Sequence, residues 1–142
     1  MIIEEHIFFF ILFGFFGVAL EVFCTSLSSF KNKKNDICLK GNSSIWMFFV
    51  YGFVYFIVLF VLNYFSDFHI LLRGFAYMIL FYSLEFTSGL FLKRCRVIPW
   101  NYSSDTKYNY KGIVRLDFAP LWFIGGLFSE LMYVYIKAHL IF

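Results

Sequence analysis

Four long runs of hydrophobic residues divide the chain, and shorter polar segments separate each run from the next. The runs cover residues 7–27, 45–64, 70–92 and 118–140. Each is close to the ~20 apolar residues that a helix needs to cross a bilayer. The pattern therefore predicts an all-α polytopic membrane protein, with four transmembrane helices in a single domain over residues 1–142.

Small and polar residues interrupt these runs at helical spacing. In the first run, Gly14, Gly17 and Glu21 recur at steps of three and four, which places them on one stripe of a helix. Because small residues let helices approach closely in lipid, we expect such stripes to face other helices. Five glycines are expected to mark helix-packing positions on this argument: Gly17, Gly52, Gly89, Gly125 and Gly126.

Three acidic residues lie inside the hydrophobic runs: Glu21, Glu85 and Glu130. Ionisable groups inside a membrane are costly and are candidates for functional sites. Glu21 and Glu85 both lie about 9–10 Å from the ends of their runs at the helical rise, whereas Glu130 lies roughly 18 Å from the same face. We therefore treat the three acids as a candidate buried polar site in which Glu21 and Glu85 can meet.

Two interpretations of these acids remain open. As packing elements, they would be protonated, or paired with Arg73, Arg115 or Lys137, and would join the helices through hydrogen bonds. As a functional site, two close carboxylates cannot both ionise readily, so one of them would bind a proton or share a cation.

Residues 93–117 form a connection that is longer than most structureless loops. Its centre carries a proline and two interfacial aromatic residues, which favour an ordered loop that lies on or dips into the membrane face. We expect this loop to cap the bundle through Pro99, Trp100, Asn101, Tyr102 and Ser103. The basic residues that open the loop could also meet anionic lipid headgroups; they are Lys93, Arg94 and Arg96.

Composition excludes an ordinary soluble domain. Of the 142 residues, 61% are hydrophobic and only 15% are charged, whereas soluble domains are about one quarter charged. The net charge of +3 is too small and too scattered for a nucleic-acid surface. The expected partner is the lipid bilayer, and a homo-oligomer or a membrane-protein partner stays open.

The first six residues carry Glu4 and Glu5 rather than basic residues, so we expect the first run to be retained rather than cleaved as a signal peptide.

Basic residues are distributed unequally between the two sides of the predicted bundle. Ten Lys and Arg residues fall in the first and third connections, whereas only Arg73 and Lys137 fall on the opposite side. The positive-inside rule then places both long loops in the cytoplasm and both termini on the opposite side. The triplets that begin at Asn42 and Asn101 match the N-glycosylation pattern and argue the other way.

The cysteines and histidines do not form a metal-binding pattern. Cys24, Cys38 and Cys95 show no C-x-x-C spacing. No serine–histidine or cysteine–histidine set lies at one depth of the predicted bundle. We therefore expect no metal and no cofactor, and we favour a non-enzymatic protein over a membrane-embedded enzyme that would use Glu21 and Glu85 as acid and base.

Several short motifs follow one another along the chain. They are Gly17-x-x-x-Glu21, Gly41-x-x-Ser44-x-Trp46-x-x-x-x-Tyr51-Gly52, Arg73-x-x-x-Tyr77, Glu85-Phe86-Thr87-Ser88-Gly89, Pro99-Trp100-Asn101-Tyr102-Ser103, Gly112-Ile113 with Leu116, and Trp122-x-x-Gly125-x-x-x-x-Glu130. From about Gly14 to Glu130, this order resembles a small four-helix membrane family. That family includes the vertebrate transmembrane protein 229 group and CmpB-like bacterial proteins that are labelled ABC-transporter type IV.

The chain departs from the pattern of that family at two positions. Asn101 stands where the family usually has Asp, and Pro120 is displaced by one residue from the usual proline before Trp122. The resemblance implies a four-helix membrane fold without an established activity. The transporter label does not by itself indicate transport, since the chain carries no nucleotide-binding motif.

These observations predict a multi-pass membrane protein that binds or handles a small molecule, ion or lipid at a buried acidic site near the cytoplasmic face. Two alternatives remain. One is a membrane-embedded enzyme with paired glutamates, in which residues 93–117 act as a lid. The other is an accessory subunit whose stripes of small residues pack against a partner.

Overall fold

The computed structural model describes residues 2–32, 40–97, 100–103 and 107–140. Four helices account for most of them: α1 (Ile2–Asn32), α2 (Ile45–Phe65), α3 (Ile70–Arg94) and α4 (Ala119–His139). Each contains a segment that is long and apolar enough to cross a membrane. The prediction of an all-α polytopic fold with four spans is confirmed.

Two helices extend beyond the hydrophobic runs, because charges suit their ends. α1 begins at Ile2 and has Glu4 and Glu5 in its first turn, where the helix dipole favours negative charge. α3 continues to Arg94 with Lys93 and Arg94 in its last turn, where the dipole favours positive charge. Hydropathy had marked only the part of each helix that is apolar.

The starts of α2 and α4 follow from local chemistry. The Ser44 side chain caps α2 by accepting a hydrogen bond from the Trp46 backbone N–H at 3.4 Å. Pro120 lies in the first turn of α4, where its missing N–H leaves no hydrogen bond unmade.

The helices pack as two pairs, α1 with α2 and α3 with α4, and α2 also contacts both α3 and α4. Aromatic side chains fill the centre. The Phe9 ring stacks on Tyr55 with centroids 5.3 Å apart, and it meets Tyr133 edge-on at 4.8 Å. Buried tyrosines need partners for their hydroxyl groups, and Tyr55 finds one in His6 Nδ1 at 2.7 Å.

The outer surface of the bundle is strongly apolar. Large side chains such as Phe15 and Leu131 are each 65% exposed. A soluble monomer would rarely expose such a surface, whereas lipid tails cover it in a membrane. The core is therefore small and aromatic, and much of the hydrophobic content faces outward.

Four of the five expected packing glycines lie at close helix or loop contacts. A Cβ at Gly52 would lie 2.7 Å from the Phe10 ring. A Cβ would also overlap Tyr51 at Gly17, Ile113 at Gly89 and Tyr77 at Gly126. The prediction for Gly125 is wrong, because a Cβ there would meet no described atom within 4 Å.

The connection between α3 and α4 contains a small hairpin that the sequence pattern did not predict. Strands β1 (Asn109–Tyr110) and β2 (Val114–Arg115) pair antiparallel, and a short 3₁₀ helix (Leu116–Phe118) leads into α4. Lys111 and Gly112 both have positive φ, at 55° and 69°. The Ile113 N–H donates to the Tyr110 carbonyl across them at 3.0 Å. Three residues, 111–113, separate the paired Tyr110 and Val114, and the positive φ of the second of them suits glycine.

Candidate functional site

The segment Trp100–Ser103 is tied to the hairpin turn. The Trp100 indole donates to the Ile113 carbonyl at 2.9 Å, and the Tyr102 N–H donates to the Gly112 carbonyl at 2.9 Å. Asn101 Oδ1 accepts from both the N–H and the hydroxyl of Ser103, at 3.0 and 2.6 Å. Four of the five expected cap residues therefore form an ordered unit with the hairpin. The fifth, Pro99, lies outside the described residues.

The same hairpin runs back along α3. The Tyr82 hydroxyl donates to the Leu116 carbonyl at 2.8 Å. Near the other end of the contact, the Ile113 side chain lies against Gly89. Tyr82 is about 18 Å from Arg94 at the helical rise of 1.5 Å per residue. The loop thus covers the side of α3 rather than only its end, and it brings Tyr102 down to the level of Glu85.

Glu85 is buried, with 9% of its surface exposed. The Tyr102 and Trp122 side chains approach its carboxyl group. Even so, neither Glu85 Oε2 nor Trp122 Nε1 completes a hydrogen bond with any residue in the described part of the chain. A buried acceptor and a buried donor are thus both left without a partner, an arrangement that is costly in a folded protein.

The positive charge that acts on this carboxyl group is already engaged. Arg115 acts on Glu85 electrostatically, but its guanidinium forms a two-point contact with Asp117, at 3.1 and 2.6 Å. The guanidinium also lies 4.2 Å from the centre of the Phe118 ring. Glu85 therefore has no dedicated counter-ion among the described residues.

Glu21 lies on α1 and is held by the segment that precedes α2. The Ser43 hydroxyl donates to Glu21 Oε2 at 2.6 Å. One turn further along α1, the Thr25 hydroxyl donates to the Asn42 carbonyl at 3.1 Å and accepts from the Asn42 N–H at 3.0 Å. These contacts fix the Glu21 carboxylate at the same end of the bundle as the Trp100–Ser103 segment.

Two tyrosines interact with both acids. Tyr51, on α2, is within electrostatic range of Glu21, Glu85 and Tyr102. Burial, followed by the nearby carboxylates of Glu85 and Glu21, raises the pKa of the Tyr102 phenol, and Arg115 opposes this only in part. The phenol therefore stays protonated and able to donate a hydrogen bond. We call the group of Glu21, Tyr51, Glu85, Tyr102 and Trp122 the acidic cluster.

The structure places Glu130 elsewhere. Its Oε1 lies 2.9 Å from Arg73 Nη1, and its Oε2 accepts from the Tyr77 hydroxyl at 2.8 Å. Tyr77 is eight residues before Glu85, so the two levels are about 12 Å apart along α3. Of the three acids expected to form one site, Glu21 and Glu85 share surroundings, whereas Glu130 belongs to a separate ion pair between α3 and α4.

At the far end of the bundle, Lys137 on α4 pairs with Glu5 on α1 at 2.7 Å and contacts the Tyr133 hydroxyl at 3.0 Å. Within the described ranges, no group of three or more His, Cys, Asp and Glu side chains is placed to hold a metal ion.

Comparison with known protein families decides the assignment. A family model described as "Putative ABC-transporter type IV" (ABC_trans_CmpB) matches residues 8–141. The chain belongs to this CmpB family. No solved structure matches it.

In this CmpB-family chain, the acidic cluster contains two residues that analysis of polar stripes did not select. Tyr51 and Trp122 look like ordinary aromatic residues of a membrane helix, and neither is charged. Both nevertheless occur in the short motifs of the sequence, Tyr51 beside Gly52 and Trp122 ahead of Gly125. The motifs were therefore the signal that could have identified them.

Proposed function

We propose that this protein binds a small cation at Glu85, at the end of the bundle that the Trp100–Ser103 segment covers. The cation would be a proton, a metal ion or the ammonium group of a small molecule. The observation that carries the proposal is the buried Glu85 Oε2, which accepts no hydrogen bond from any residue in the described part of the chain. A buried carboxylate is strongly disfavoured unless it is neutralised, and Arg115 is already paired with Asp117.

Two groups beside each other suit a cation at this position. The Glu85 carboxylate can accept from an ammonium group or coordinate a metal ion, and the Tyr102 hydroxyl oxygen, which approaches the same carboxyl group, is a further acceptor. The ordered loop restricts access of water to the site, which strengthens electrostatic attraction inside it.

We also propose that the chain is related to the transmembrane protein 229 group, and that its two long connections face the cytoplasm. Of the twelve Lys and Arg residues, ten belong in the sequence to the first and third connections, which adjoin the acidic cluster. The only two on the other side are each paired with an acid, Arg73 with Glu130 and Lys137 with Glu5. The positive-inside rule supports placing the acidic cluster near the cytoplasmic face.

Carbodiimide labelling tests the proposed role of Glu85. Dicyclohexylcarbodiimide partitions into membranes and modifies carboxyl groups that carry a proton. We expect it to modify Glu85 and to spare Glu130, because Arg73 and Tyr77 engage both oxygens of Glu130. Intact mass and peptide mapping of the purified protein would locate the adduct. Sodium, potassium and choline should be tested as competitors, and a bound cation is expected to slow the modification.

The matched control is Glu85→Gln, which should abolish the adduct. It should change the free energy of unfolding by less than about 1 kcal/mol, because no hydrogen bond to Oε2 is lost. The proposal fails if Glu130 reacts as fast as Glu85. It also fails if modification of Glu85 is independent of both pH and every added cation.

Orientation can be measured with an impermeant maleimide on intact cells. Cys95 is exposed just after α3, so it reports on the side of the acidic cluster. In a variant with Cys24→Ser and Cys38→Ser, we expect Cys95 to stay unlabelled until the membrane is opened. The control is Ser66→Cys in the exposed turn between α2 and α3, which should react at once. Labelling of Cys95 in intact cells would contradict this orientation and indicate the opposite one.

A further inference from the structure

A groove runs along the outer face of α3, where the hairpin lies beside the helix. Its volume is about 380 Å³ and its lining is almost entirely apolar. Tyr82 contributes to its lining, and the Tyr82 hydroxyl donates to the Leu116 carbonyl at 2.8 Å. Phe86 and Tyr110 form one wall, with ring centroids 5.7 Å apart. The Ser83 hydroxyl donates to a carbonyl of its own helix at 2.9 Å, so it requires no polar partner in the groove.

A smaller cavity lies further along the same helix, toward its basic end. Its volume is about 70 Å³, and Lys93, Lys111, Asn101 and Ser103 contribute to its lining. Lys111 Nζ lies 5.4 Å from the centre of the Tyr110 ring, and this tyrosine also lines the groove. Neither lysine is paired with an acid in the described parts of the chain. Two exposed positive charges therefore stand at one end of an apolar groove.

The dimensions and setting match one lipid of the surrounding leaflet. From Lys93 to Ile79 the helix rises about 21 Å, compared with roughly 15 Å for the hydrocarbon half of a bilayer. Ile79 is 60% exposed, although it lies within a candidate membrane span. The groove therefore opens toward lipid, with its positive charges at the level where headgroups begin. Interfacial lysines attract anionic headgroups.

We propose that the groove between α3 and the hairpin holds one anionic phospholipid. Its phosphate lies between Lys93 and Lys111, and an acyl chain lies along Phe86, Ser83 and Ile79. This position is separate from the acidic cluster, since Glu85 is buried whereas the groove is on the exposed face of α3. A bound lipid would brace the hairpin against α3 and so support the loop that covers Glu85.

Native mass spectrometry of the full chain tests this assignment. The protein would be purified in mild detergent and equilibrated with equal amounts of phosphatidylglycerol and phosphatidylcholine that carry identical acyl chains. We expect one phosphatidylglycerol to be retained in preference. Lys93→Gln and Lys111→Gln should each weaken that preference by about fivefold. Lys40→Gln, which changes an exposed lysine of the first connection, should leave it unchanged.

Filling the groove provides the second arm of the experiment. Ser83→Trp should reduce retention of lipid, whereas Leu131→Trp, at a position that is 65% exposed on α4, should not. Both positions are on the outer surface, so both variants are expected to fold, and thermal unfolding would verify this.

Equal retention of the two lipids by the wild type would overturn the proposal, and so would equal effects of the two tryptophan variants. Competition by glycerol 3-phosphate as strong as that by the diacyl lipid would indicate a site for free phosphate instead. A dimer mass without bound lipid would indicate that a second copy of the chain covers the groove.

Discussion

Replacing Arg73 by leucine is expected to lower the free energy of unfolding by about 3–5 kcal/mol. The guanidinium lies 2.9 Å from the Glu130 carboxylate, and only 11% of the Glu130 side chain is exposed. Without Arg73, the carboxylate would keep only the Tyr77 hydroxyl, at 2.8 Å. A buried charge that has lost its counter-ion costs far more than the net worth of the pair. Unfolding of the purified protein in detergent, by heat or denaturant, would measure the loss.

A double-mutant cycle separates the pair from its surroundings. The variant that carries both Arg73→Leu and Glu130→Leu should recover most of the stability, because two apolar side chains replace the pair and no charge is stranded. As a comparison, Lys137→Leu breaks the pair with Glu5, in which the lysine side chain is 47% exposed. It should cost about 1 kcal/mol or less. If the double variant is as unstable as Arg73→Leu alone, the pair does not explain the effect.

This pair also shows how far the sequence could assign the three acids. Helical rise placed Glu21 and Glu85 at one depth and Glu130 deeper, and the structure separates them in the same way. The partner of Glu130 was open between Arg73, Arg115 and Lys137. That choice depends on the register and rotation of α3 against α4, which the contact of Gly126 with Tyr77 fixes. A hydropathy pattern carries no information on the register or the rotation of two helices that pack together.

The four helices could be predicted because lipid imposes length and composition on any segment that crosses it. The ends of α1 and α3 could not be predicted from hydropathy, since each helix continues past its apolar part. The hairpin was missed for a different reason. Strands of two residues are too short to show alternation, and Lys111-Gly112 is a weaker turn signal than Asn-Gly. An ordered loop was nevertheless expected there, because Trp100 and Tyr102 can anchor a chain at an interface.

The adjacent pair Gly125 and Gly126 gives the sharpest test of helix packing. Consecutive residues differ by about 100° around a helix, so at most one of the two can face α3 directly. A Cβ at Gly126 would overlap Tyr77 Cβ, whereas a Cβ at Gly125 would meet nothing described within 4 Å. Tyr77 is fully buried, and its Cβ cannot move away without moving the α3 backbone.

Gly126→Ala is therefore expected to lower the free energy of unfolding by about 1–3 kcal/mol, the usual cost of overpacking. Gly125→Ala should raise it by up to about 1 kcal/mol, because alanine favours helix formation where no clash opposes it. The two variants add the same methyl group one residue apart, so composition and hydrophobicity cancel in the comparison. Thermal unfolding of both in one detergent measures the difference.

Because the same shift of α3 would displace the Tyr77 hydroxyl from Glu130, Gly126→Ala should also make Glu130 more reactive toward carbodiimide, whereas Gly125→Ala should not. Equal stability of the two variants would mean that α3 and α4 do not meet at Gly126.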